Sequence, residues 1–147
     1  VTAGISPAYV FKLFPSKVEL FVAALDRCFE RVEGALATGA ARIPGGDPEQ
    51  VLHEVGGAYA ELIVDKSLLM LQVHALSAAD TPDIATAMRR GLQRITEFAQ
   101  TRSDATGEQV QHFMAYGQLC HLITTLGLDA TEGPWAATLT AGIRHYN

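Results

Sequence analysis

Five histidines, two cysteines and sixteen carboxylates are the side chains of this 147-residue chain that could hold a metal or move a proton. Ligands on one helix converge on a single ion at spacings of three or four residues. His112, Cys120 and His121 fall on one predicted helix, but neither His112 to Cys120 nor His112 to His121 has that spacing, and His53 and His74 belong to other helices. Packing in a core or an interface accounts for these side chains, so neither metal nor cofactor is expected. Glu61 and Asp65, four apart on a predicted helix, read as a solvated face. No Gly-rich phosphate loop, Gly-x-Ser-x-Gly elbow or His-Glu-x-x-His string occurs, and the reading is of a protein that is not an enzyme.

The informative residues stand at the start: Val1-Thr-Ala-Gly-Ile-Ser-Pro-Ala-Tyr-Val-Phe-Lys-Leu-Phe-Pro-Ser-Lys-Val-Glu-Leu-Phe21. Gly4 permits a left-handed turn that ends one helix, Ile5 is an apolar plug, and Ser6 caps a short second helix. Phe14-Pro15 ends that helix, and Ser16 caps a long third. This is helix-turn-helix grammar, in which the helix after the turn enters the major groove while neighbouring N–H groups and cations grip phosphate.

The string Ala3-Gly4-Ile5-Ser6, with Val10, Phe14, Ser16-Lys17 and Leu20, resembles the DNA-binding segment of the TetR family of transcriptional regulators. The similarity that carries the resemblance covers about 20 residues. It implies an all-α homodimer whose N-terminal helices bind double-stranded DNA at a palindromic operator. A larger C-terminal domain would bind a small effector that releases the DNA, which makes the regulator a repressor. By the same resemblance, Pro7, Ala8, Tyr9 and Lys12 face the groove after the Ser6 cap, while Ser16 and Lys17 hold phosphate with the N–H groups that open their helix. Phe11 stands where the family usually has a Tyr, and Leu13 where a His is common. The family's first helix and most of its second would precede Val1, an expected roughly 40 further residues.

Seven helices position these residues. Four prolines follow a capping or small residue, as Ser6-Pro7, Asp47-Pro48, Thr81-Pro82 and Gly133-Pro134, and so mark helix starts. Ser16 with Glu19, Asp47 with Gln50 and Thr106 with Gln109 have capping-box spacing. The predicted helices span residues 7–14, 17–38, 48–66, a segment through 79, 82–102, 107–125 and 134–145, with a loop over 39–46. Leu68 to Leu71 with Val73 has the periodicity of a short buried strand as well, but Leu richness and the lack of hairpin turns favour a helix.

The helices over 107–125 and 134–145 are apolar or small around most of their circumference, which implies burial on more than one side. A second subunit supplies that surface most naturally, through Ala115, Gly117, Leu122, Trp135, Leu139, Gly142 and Ile143, as a four-helix seam. In TetR-like regulators the effector site lies among the central helices of the larger domain, here residues 48–125. Tyr59, Met70, His74, Met88, Phe98, Phe113 and Tyr116 are the candidates for its wall, and their character points to a hydrophobic or aromatic effector. The resemblance thus divides the chain into residues 1–38, the end of the DNA-binding domain with its connecting helix, and residues 39–147, the effector-binding and dimerisation domain. An all-α small-molecule-binding or interaction protein that never reads DNA is the alternative.

Composition sets the limits of both readings. Hydrophobic residues make up 48% and charged residues 18%, the balance of a folded chain. The net charge of -5 excludes a wholly basic nucleic-acid coat, but residues 1–25 carry Lys12 and Lys17 against Glu19 alone, so the acidic excess lies further on. No stretch is apolar and long enough for a membrane span, and two cysteines make no disulfide framework, so a cytoplasmic protein is expected.

Overall fold

The computed structural model describes Tyr9 and residues 12–143. Among these residues no strand forms, and six α-helices run from end to end: α1 Lys17–Ala41, α2 Pro48–Leu62, α3 Lys66–Ser77, α4 Pro82–Ser103, α5 Gly107–Leu126 and α6 Pro134–Thr140, with a single 3-10 turn at Leu128–Ala130. Tyr9, Lys12 and Leu13 are helical as well, inside the span of the first predicted helix. The chain is all-α.

Local chemistry explains the starts. Ser16 is extended and its side chain accepts from the Glu19 N–H at 3.1 Å, opening α1. Asp47 with Gln50 and Thr106 with Gln109 form complete capping boxes at α2 and α5, each satisfying orphan N–H groups in both directions. Pro48, Pro82 and Pro134 each occupy a first helical position, where no N–H is needed.

Three boundaries differ from expectation. α1 continues through Gly39 to Ala41. Gly39 is a contact rather than a break: a Cβ there would lie 2.6 Å from the Glu54 carbonyl oxygen and 2.8 Å from Ala58 Cβ, so the missing side chain is what lets α1 and α2 touch. α2 ends at Leu62, four residues early, because Asp65 caps the next helix, accepting from the Ser67 N–H at 3.1 Å. Glu61 and Asp65 therefore do not share a helix; Glu61 holds the Arg42 guanidinium with both oxygens, at 2.9 and 2.7 Å. α6 stops at Thr140, since Ala141 leaves the helical region and Gly142 turns left-handed at φ 74°.

α1 is the spine. Leu25, Cys28, Phe29, Val32 and Leu36, at three- and four-residue spacing, are all but fully buried and form the main core with Val55, Leu68, Met88 and Ile95. α2 folds back antiparallel on it, and the start of α3 is held to the same helix, with Arg31 3.8 Å from Asp65 and Cys28 Sγ 3.6 Å from the Leu68 carbonyl oxygen. α4 lies beside α1 in the same direction. Arg90 pairs with Asp26, Arg94 with Glu33, and the Arg102 guanidinium donates to the Ala40 carbonyl, at sequence separations of 64, 61 and 62. Exposed ion pairs of this kind contribute about 0–1 kcal/mol each, so the register is set by the core beneath them. At its centre Phe29 lies flat over Gly91, where a Cβ would fall 2.2 Å from the ring.

α5 packs against α2, α3 and α4. Its buried residues are Val110, Cys120, His121 and Ile123, while Tyr116, Leu122 and Leu126 are more than half exposed. α6 buries only Ala136 and presents Trp135 and Leu139 outward. The second apolar face foreseen for these helices is thus open in the single chain. Among the described residues no helix is long and apolar enough to cross a membrane.

Candidate functional site

A cavity of about 590 Å³ lies between α2, α5 and the segment after α6. Its volume is within the roughly 300–1,000 Å³ of small-molecule sites. α2 supplies Glu49, Leu52, His53, Gly56, Gly57, Tyr59 and Ala60; α5 supplies Gln109, His112, Phe113, Tyr116, Gly117 and Cys120; Gly142 and Ile143 complete it. Glycines on both walls make the space: a Cβ at Gly57 or Gly117 would meet nothing within 4 Å.

Of the residues expected to line an effector site, Tyr59, Phe113 and Tyr116 come together here. Met70, His74, Met88 and Phe98 line neither this cavity nor its smaller neighbour. Met88 is core, Phe98 packs against that core, and His74 is exposed on α3. Helical spacing marks faces of α3 and α4 as apolar, but Leu68, Ala75 and Met88 on those helices belong to the main core with α1, and Phe98 packs against it. Among the proposed interface residues, Ala115, Leu122, Trp135 and Leu139 are exposed, whereas Gly117, Gly142 and Ile143 line the cavity.

Around the smaller neighbouring cavity stands a polar trio that spacing does not reveal. The Tyr59 hydroxyl and His121 Nε2 are hydrogen-bonded, and Gln72 Nε2 donates to the Tyr59 oxygen at 3.4 Å. The three residues come from α2, α3 and α5. Gln72 and His121 are buried, and the other ring nitrogen of His121, Nδ1, is buried without a partner. Burial holds the imidazole neutral, pushing its pKa down to about 4, and burial likewise raises the Tyr59 phenol. The thiols are inert for the same reason: desolvation pushes Cys28 up to about 11 and raises Cys120. The one sequence sign of the trio is a polar residue inside an apolar run, as in Leu71-Gln72-Val73 and Cys120-His121-Leu122.

The residues expected to read DNA lie at the opposite end of α1. Tyr9, Lys12 and Lys17 are exposed, and Lys17 is the first residue of α1. Ser16 uses its oxygen as the cap, which leaves its O–H able to donate. Ser6, Pro7 and Ala8 lie outside the described residues.

The chain is similar to a transcriptional repressor. The HTH-type transcriptional repressor KstR of Mycolicibacterium smegmatis is 30% identical over 114 residues, which cover 77% of this chain and 55% of that protein. The chain therefore spans about half the length of the curated relative it matches. No protein-family model matches the chain, and no solved structure matches it.

Proposed function

We propose that the chain is the effector-binding body, with part of the DNA-reading head, of a TetR-family repressor that binds a palindromic operator as a homodimer and releases it when a small molecule occupies the cavity. The observation that carries this reading is the sequence from Ala3 to Leu20, with helical Tyr9, Lys12 and Leu13, the Ser16 cap and exposed Lys17, in a chain similar over most of its length to a helix-turn-helix repressor.

The architecture supplies the rest. Residues 1–38 carry the reading segment and its connecting helix, and residues 39–147 form the body. α1 joins the two, since its N-terminus abuts the reading segment while Leu25, Phe29 and Leu36 are in the core of the body. Val32 and Leu36 also wall the smaller cavity beside Tyr59 and His121, so a change in that space is felt directly by α1. A shift of α1 reorients the reading heads, and an effector that favours the shifted form depopulates the operator-competent dimer. The exposed face of Ala115, Leu122, Leu126, Trp135 and Leu139 is the surface on which two copies join, with small residues allowing close helix approach. A regulator of this kind works in the cytoplasm.

Lys17 provides the test. In the whole protein, Lys17→Ala is expected to weaken operator binding about ten-fold, evenly across sequence variants of the operator, and to reduce the salt slope by about one unit per subunit. Fluorescence anisotropy over a salt series reads both. Unchanged affinity and slope would remove Lys17 from the phosphate contacts.

A further inference from the structure

Tyr59, Phe113 and Gly117 line both the large cavity and a second chamber of about 40 Å³ behind it. Val32, Leu36, Leu92 and Ile95 wall this inner chamber, together with Gln72 and His121. Two aromatic rings, those of Tyr59 and Phe113, form the partition together with Gly117. A Cβ at Gly117 would meet nothing within 4 Å, and one at Gly56 would only touch the Phe113 ring, at 3.7 Å. Gly56 and Gly117 thus bring no side chain into the partition.

Gln72 donates to the Tyr59 oxygen, and in one tautomer of His121 the Tyr59 O–H donates in turn to Nε2. A neutral imidazole that accepts at Nε2 carries its proton on Nδ1, and that nitrogen is buried and unpartnered. In that tautomer the inner chamber presents a donor ready for an acceptor, while His53, Gln109, His112 and Tyr116 stand along the outer cavity. Neither chamber is lined by Lys or Arg, and the carboxylate that borders the space, Glu49, is exposed. An anion reaching the inner chamber would lose its hydration beside His121, an imidazole that burial holds neutral.

We propose that the effector is an uncharged, mainly apolar molecule bearing a carbonyl oxygen, which accepts the Nδ1 proton of His121 while the apolar body fills the space lined by Leu52, Phe113 and Ile143. This rests on the reading of the large cavity as an effector site. Effectors are thereby separated by charge and by a single polar atom.

Three probes of one frame test it: benzophenone, diphenylmethane and diphenylacetate, titrated into the 147-residue chain by calorimetry. Benzophenone is expected to bind about ten-fold tighter than either of the others, the worth of one hydrogen bond. In His121→Phe the preference over diphenylmethane is expected to disappear. The infrared carbonyl band of bound benzophenone, which needs no variant, is expected to fall below its position in hexane. Equal binding of diphenylmethane or diphenylacetate, or an unshifted band, would overturn the carbonyl assignment and leave the effector cavity standing. Failure of all three to bind would overturn both, while operator binding by the whole protein, measured without any probe, stands or falls on its own.

Discussion

Replacing Gly91 with alanine is expected to destabilise the bundle by about 3 kcal/mol, lowering the unfolding temperature by about 10 °C. The new Cβ would fall 2.2 to 2.4 Å from three ring carbons of Phe29, a side chain only 1% exposed. Either the ring leaves its place in the core or α4 moves away from α1, and the second route strains every contact along two helices that run side by side. Helix propensity alone predicts the opposite sign, because alanine is favoured over glycine by about 1 kcal/mol within a helix. Gly57→Ala isolates that effect: its Cβ meets nothing within 4 Å, and a gain of roughly 0.5–1 kcal/mol is expected. Shrinking the ring with Phe29→Leu in the Gly91→Ala background should recover part of the loss, a coupling that urea unfolding of the four chains measures. Equal stability of Gly91→Ala and the natural chain would mean that α1 and α4 do not meet at this ring.

Acid is expected to weaken the fold through His121 before the carboxylates titrate. Its folded pKa of about 4 lies below the ordinary 6.5, so the unfolded chain binds the extra proton first as pH falls. Stability from this residue is complete above about pH 6.5, declines below it, and is fully lost under about pH 4. The expected loss is about 2 kcal/mol by pH 5 and about 3 kcal/mol in full. Glu61 and Asp65, whose carboxyls are held below their usual range by Arg42 and Ser67 respectively, lose their partners only at lower pH. His121→Gln keeps a polar partner for Tyr59 but has no proton to gain, and its stability should stay flat from pH 6.5 to 5 where the natural chain declines. Parallel curves for the two chains would show that His121 is not desolvated in the folded state.

What was legible in the sequence is what local chemistry decides. Asp47 with Gln50 and Thr106 with Gln109 announce helix starts because both partners of each cap lie within one turn. The stripe from Leu25 to Leu36 announces a buried face because its spacing is that of one helix. Gly39 reads as a break by the same local rules, and its true role depends on Glu54 and Ala58, which the chain brings back only after a turn. Gly91 could have been noticed, since a glycine inside an otherwise regular helix asks for a reason, but nothing nearby names Phe29 as that reason. The candidate site divides in the same way. Tyr59, Phe113 and Tyr116 were legible as aromatics on the central helices, whereas Gln72 and His121 join Tyr59 only through the packing of three helices. Met88 and Phe98 show the converse, being apolar in pattern but turned to the core.

Selection of bound sequences from random duplex DNA by the whole protein tests the account most directly. Enrichment of one two-fold-symmetric sequence is expected, with half-sites spaced for a dimer by about one helical turn or a multiple of it, and Lys17→Ala is expected to select the same sequence with weaker binding. Recovery of no preferred sequence, from a folded protein at low salt, would contradict it.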